Sequence, residues 1–181
     1  MALTATLHHF GIQLADMDRG VYSDFALRVA QQPSETGVFM LVRVLAYCLE
    51  LEDGIALTEG VAATDEPAVV VRDLTGRITK WIEVGAPEAE RVHRGSKLAG
   101  RAVVYTHRDP RPLLEQYADA RIHRAAEVPV YAFDREFLAA AAGTLQRRSK
   151  IAVSVTEAQI YLDIDGASRM SAIHRYSAAG I

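Results

Sequence analysis

Between Thr79 and Phe133 the chain alternates β-type and helix-type patterning, and that alternation constrains its fold more than any other feature. Thr79 to Val84 is a short β-rich run, and Pro87 suits the first turn of a helix reaching about Gly100. Arg101 to His107 then forms a buried apolar strand, Pro110 to Ala120 is helical, Val128 to Phe133 is another strand, and Arg135 to Ala142 is a helix. Strand, helix and strand in succession require parallel crossovers. The expected fold class is therefore mixed α/β, a central sheet of mixed strand direction flanked by helices.

Hairpins flank this unit. Ala2 to Leu14 and Val21 to Ala30 are strand-like runs joined by the turn-prone Asp16-Met17-Asp18-Arg19-Gly20. After Gln31-Gln32-Pro33, Ser34 is the expected N-cap of a first helix, in which Val38, Leu41, Val42, Leu45 and Leu49 repeat at helical spacing. Ala68 to Asp73 and Thr79 to Val84 form a second hairpin, with Asp73 assigned to its turn. Ile151 to Val155, Gln159 to Asp163 and Met170 to Tyr176 return to hairpin patterning and are expected to pair with the N-terminal hairpin. No repeat or linker divides the 181 residues, so a single domain spanning 1–181 is expected.

Composition removes several classes of function. A net charge of −3 argues against a uniformly basic nucleic-acid-binding surface, and a single cysteine, Cys48, excludes an intrachain disulfide framework. Cys48 lies within the apolar body of the first helix and is expected to be a buried structural thiol. No basic n-region or long apolar run opens the chain, so the expectation is a cytoplasmic protein without membrane association. Dinucleotide, P-loop, zincin and nucleophile-elbow motifs are absent, and the six histidines are scattered over different elements.

Carboxylates carry the remaining signal. If the second hairpin turns near Leu74 and Thr75, antiparallel pairing sets Glu83 opposite Glu66 or Pro67, beside Asp65. Glu83 is expected to share a strand face with Trp81 and Gly85. Clustered carboxylates repel one another unless a proton or cation intervenes, and all-oxygen ligation suits Mg²⁺ or Mn²⁺. Glu35 falls on the helical face of Val38, Val42, Leu45 and Leu49, so it heads the apolar stripe and is a further candidate; its plainer role is a helix-dipole carboxylate. The plainer reading of Asp65, Glu66 and Glu83 is a solvated loop followed by a polar strand position.

Charge also segregates along the chain. From 34 to 87 there are four Lys/Arg against nine Asp/Glu, whereas from 88 to 125 there are eight against five. Arg91, Arg94, Lys97 and Arg101 recur at helical spacing beside a small-residue stripe of Val92, Gly95, Ser96 and Ala99. They form either a solvated helix face or a phosphate-facing ridge.

These motifs together resemble the YaeQ family of small bacterial proteins. The resemblance rests on the opening Met-Ala-Leu-x-Ala-Thr, Asp16-Met17-Asp18-Arg19, Pro33-Ser34-Glu35-Thr36, Asp65-Glu66-Pro67, and Trp81-Ile82-Glu83-Val84-Gly85-Ala86-Pro87 followed by Glu90-Arg91. It implies a variant of the PD-(D/E)XK (restriction-endonuclease-like) core. In that superfamily an aspartate on one strand and an acidic-x-lysine on the next bind Mg²⁺ and activate water, and a first-helix glutamate assists. Asp65 or Glu66 then matches the aspartate, Glu83 the acidic member and Glu35 the helix glutamate, while Gly85 occupies the lysine position. Arg94 or Lys97 is the candidate substitute for that lysine. Two functions are expected from this resemblance. One is Mg²⁺- or Mn²⁺-dependent phosphodiester hydrolysis, a nuclease activity. The other is a non-catalytic regulatory module that binds nucleic acid through Arg91, Arg94, Lys97 and Arg101, or binds a protein partner.

Overall fold

In a computed structural model the chain is described over residues 4–59 and 65–180. The opening Met-Ala-Leu, with the expected start of the first strand at Ala2, lies outside these residues. The elements run β1 (Thr6–Asp16), β2 (Val21–Gln31), α1 (Gly37–Leu49), β3 (Ile55–Leu57), β4 (Val69–Arg72), β5 (Ile78–Val84) and α2 (Ala89–Leu98). They continue with β6 (Arg101–Thr106), α3 (Pro110–Asp119), β7 (Pro129–Phe133), α4 (Arg135–Thr144), β8 (Arg148–Thr156), β9 (Gln159–Ile164) and β10 (Ala167–Ser177). The fold is mixed α/β, as the alternation requires. No helix among the described residues is long and apolar enough to cross a membrane.

The strands form one sheet in the order β2-β1-β8-β9-β10-β7-β6-β5-β4-β3. β5, β6 and β7 are parallel neighbours, and β1 runs parallel to β8, so the C-terminal strands do join the N-terminal hairpin. The two edge strands, β2 and β3, both contact α1. A sheet whose opposite edges meet the same helix must curl around it. α1 is accordingly buried on every side, with Met40 to Ala46, Cys48 and Leu49 all inside. Its Val-Phe-Met-Leu-Val-Arg-Val-Leu-Ala-Tyr-Cys-Leu sequence is apolar on every side except at Arg43, the mark of a core helix rather than a one-sided one.

The sheet thus separates two cores. Ile82, Val84, Val103 and Tyr105 pack with α1 and α4 on the inner face. Trp81, Ala102, Val104 and Val130 pack with α2 and α3 on the outer face. Period-2 alternation along β5 therefore sends Lys80, Ile82 and Val84 one way and Trp81 and Glu83 the other.

Two local expectations are corrected. The N-cap of α1 is Thr36, whose hydroxyl accepts from the Phe39 N–H at 3.1 Å, and not Ser34. Glu35 consequently precedes the helix instead of lying in its first turn. The second hairpin carries a bulge at Val71/Arg72: Arg72 pairs with Ile78, but Val71 pairs with Lys80. One extra residue on β5 shifts the register, and continuing it from the Val69–Ile82 pair sets Glu83 alongside Ala68 rather than Glu66 or Pro67.

Candidate functional site

Glu83 is held between the outer face of the sheet and α2, and it is 4% exposed. The small-residue stripe makes this possible. A Cβ on Gly95 would come within 2.3 Å of the Trp81 ring, so only glycine lets α2 settle this closely on β5. Trp81, two residues from Glu83 on the same strand face, donates its indole N–H to Glu83 Oε1 at 2.8 Å. Arg91 reaches the same oxygen with Nε and Nη2, each at 3.1 Å. Glu83 Oε2 carries no hydrogen bond among the described residues. Burial pushes the Glu83 carboxyl above its ordinary value, and the opposing effects of Arg91, Trp81 and Arg94 do not cancel it.

Arg91 also donates to the Glu66 carbonyl oxygen at 2.8 Å, which ties α2 to the segment before β4. Glu66 itself turns away, and its carboxylate accepts from Arg72 at 2.7 Å. Asp65 is almost fully exposed and lies 3.8 Å from Arg94. Lys97 is exposed in the last turn of α2, where a cation suits the helix dipole. Glu83, Asp65, Arg91 and Arg94 are thus neighbours, and the charge opposing each carboxylate is a guanidinium. Among the described residues no group of three His, Cys, Asp or Glu is placed to hold a metal ion.

Glu35 does not join them. It packs against α1 on the inner side of the sheet, where Oε1 accepts from Arg43 Nη1 at 2.6 Å and Oε2 from the Gln32 N–H at 3.1 Å. Both side chains of this pair are buried. The inward orientation expected for Glu35 is present, but its partner is the arginine that α1 carries two turns later.

Gly85 also departs from expectation. Its φ of +93° takes it out of the strand alternation, and a Cβ there would lie 2.9 Å from the Phe39 ring on α1. A side chain at 85 would therefore aim at the inner face, away from Glu83. Beside it, burial and then the charges of Arg108 and Arg135 lower the His107 pKa, and His107 Nδ1 is buried without a hydrogen-bond partner among the described residues.

The basic ridge separates into three parts. Arg91 points inward to Glu83, while Arg94 and Lys97 face outward. Arg101 belongs to β6, where it lies beside Lys80 and reaches Glu50 Oε1 at 3.1 Å on the inner side. Sequence reading missed this Glu50 cluster because its members come from the residue capping α1 and from β5 and β6. The available signal was an acid directly after a helix whose single charged residue is Arg43, a position that buries it.

A family model described as "YaeQ protein" matches residues 1–172. The protein named "Uncharacterized protein YaeQ" from Escherichia coli (strain K12) is 28% identical over 166 residues, which cover 91% of this chain and 92% of that one. The crystal structure of YaeQ protein from Pseudomonas syringae superposes with a TM-score of 0.87 at 28% identity, covering 94% of this chain and 95% of that one. The YaeQ structure from Xanthomonas axonopodis pv. citri gives 0.86 at 29% identity, covering 98% and 100%.

Proposed function

This chain belongs to the YaeQ family, and on that premise we propose that it is a nucleic-acid-binding module on a nuclease-like scaffold, in which arginines take the place of a catalytic metal. The observation that carries this reading is the Arg91 guanidinium seated on Glu83 Oε1. It neutralises the carboxylate that a divalent cation would otherwise need. Gly85 supports the same reading, since its backbone turns the lysine position toward Phe39. Arg94 and Lys97 are left facing outward on one side of α2, within one helical turn of each other, as phosphate contacts require.

Anisotropy titrations of labelled single-stranded DNA, duplex DNA and RNA test this. Binding is expected to be equal in EDTA and in Mg²⁺, to weaken with salt, and to fall about tenfold when Arg94→Glu and Lys97→Glu are combined. No strand should be cut. Failure to bind any of the three overturns the reading in favour of a protein partner.

One observation favours a second reading, Mg²⁺- or Mn²⁺-dependent phosphodiester hydrolysis: Glu83 Oε2, without a hydrogen bond among the described residues, on a carboxyl raised in pKa whose neighbour Arg94 also pairs with Asp65. Metal-dependent cleavage lost in Glu83→Ala would establish it and displace the first. The carboxylates as arranged do not form a three-ligand set, so Asp65 or Glu66 would have to leave its arginine first.

A further inference from the structure

The inner face of the sheet holds a second candidate, independent of the Glu83 site. α1 ends at Leu49, but the sheet curled around it continues, which leaves a cavity of about 510 Å³ beyond the carboxyl end of the helix. That volume lies within the usual range for a small-molecule site. Its walls combine an apolar surface from Leu49, Val155 and Ile173 with the ring of Tyr131. Tyr131 is backed by Tyr105, the two rings stacked at 5.1 Å and 25°.

The charges in this pocket are nearly all committed. Glu50 accepts from Tyr105 Oη at 2.8 Å, Arg101 at 3.1 Å and Lys80 at 3.3 Å. Asp16 is held by Arg19 Nε at 2.7 Å, and Arg19 also donates to the Cys48 carbonyl in the last turn of α1 and to the Leu51 carbonyl just beyond the helix. Both oxygens of Asp18 accept backbone N–H groups, from Glu157 and Ala158. Each carboxylate lining the cavity therefore has its donors within the chain. The exception among the charged groups is Arg175, which is exposed, lines the cavity beside Tyr131 and has no hydrogen-bond or ion-pair partner among the described residues. The lining holds three carboxylates and four cations, and Lys80 is shared with Glu52 outside the lining at 3.1 Å, so among the described residues Arg175 is the single lining cation left for a ligand.

We propose that this pocket binds a small aromatic monoanion, its ring along Tyr131 and its charged group on Arg175. An uncommitted guanidinium beside an aromatic wall matches a ligand that has both an anionic group and a flat apolar body. A bare inorganic anion would leave the apolar wall unused, and a dianion would exceed the available charge. The anionic group is a carboxylate or a phosphodiester, two chemistries that the guanidinium fork accepts alike.

Saturation-transfer NMR on the full chain tests this with four probes: naphthalene carboxylate, its neutral carboxamide, adenosine cyclic monophosphate and acetate. The carboxylate or the cyclic nucleotide is expected to bind, and the tighter of the two identifies the anionic group. The carboxamide and acetate should each bind at least about tenfold more weakly than the better ligand, and Arg175→Ala should weaken that ligand by about the same factor. Arg175→Gln, which keeps the length of the side chain without its charge, should behave like Arg175→Ala. Circular dichroism checks that both variants fold. Absence of binding by both ring-bearing anions overturns the proposal, as does equal binding of the carboxamide or no loss in the folded Arg175 variants.

Discussion

Arg91 brings both Nε and Nη2 to within 3.1 Å of a single oxygen of Glu83, leaving the other oxygen of that carboxylate without a hydrogen bond among the described residues. On the inner side of the same sheet, Glu50 spreads three donors over its two oxygens. Two buried glutamates on opposite faces are thereby stabilised to different extents.

Their pH signatures should be opposite. Burial raises the Glu83 pKa, so the native state holds that proton more tightly than the unfolded chain, and stability is lost as pH rises from the ordinary value of 4.5 through the raised one. Burial alone would raise Glu50 too, but Arg101, Tyr105 and Lys80 bring it below 4.5, so its contribution is lost as pH falls through that lowered value. Urea melts across pH should show that Glu83→Gln removes the loss above 4.5, whereas Glu50→Gln removes the loss below it.

The buried pair of Glu35 and Arg43 should behave as a structural unit. Removing either partner strands a charge in the core, and Glu35→Ala or Arg43→Ala should each cost about 3–5 kcal/mol in denaturant unfolding. The double change Glu35→Gln with Arg43→Met should be much milder, because neither charge remains to be buried. Similar costs for the double and single changes would show that packing, not charge, dominates there.

Gly95→Ala should destabilise the protein although alanine is the better helix former. The helix gains about 1 kcal/mol, but the new methyl meets the Trp81 ring at 2.3 Å, and overpacking of this kind costs about 1–3 kcal/mol. Trp81 is the single tryptophan, so its fluorescence reports the displacement directly. An unshifted emission spectrum with raised stability would contradict this.

Placing at 85 the lysine that the proposed nuclease-like resemblance would call for should not create a nuclease. Gly85→Lys places a side chain at a φ of +93°, which costs about 1–3 kcal/mol in backbone strain, and drives its Cβ against Phe39. The expected result is a lower denaturation midpoint and no new Mg²⁺-dependent cleavage of DNA or RNA. Cleavage gained by this variant would mean that the lysine reaches the Glu83 side of the sheet.

Much of the fold was legible in the chain because its signals are local. Strand alternation in Thr79 to Val84, Pro110 at the start of α3 and the turn chemistry of Asp73 each depend on near neighbours. Asp73 in fact accepts from the N–H groups of Thr75 and Arg77. The three-residue β3 escaped notice, since a run that short has no period to detect. The candidate site was legible only in part. The packing of Val92, Gly95, Ser96 and Ala99 against the sheet was anticipated. The partners were not.

The sequence by itself determined the order and kind of the principal elements, the YaeQ family resemblance, and the buried position of Cys48, whose thiol burial pushes up to about 12. Tertiary structure alone decided which charges meet. One bulged residue moved the register across β4 and β5, the positive φ of Gly85 reversed its direction, and the curl of the sheet around α1 put Glu35 and Glu50 on the face opposite Glu83. Periodicity specifies which residues share a strand or helix face, because it repeats within a few residues. Charge pairing across elements depends on how those faces are stacked, and that is set by packing over the whole chain.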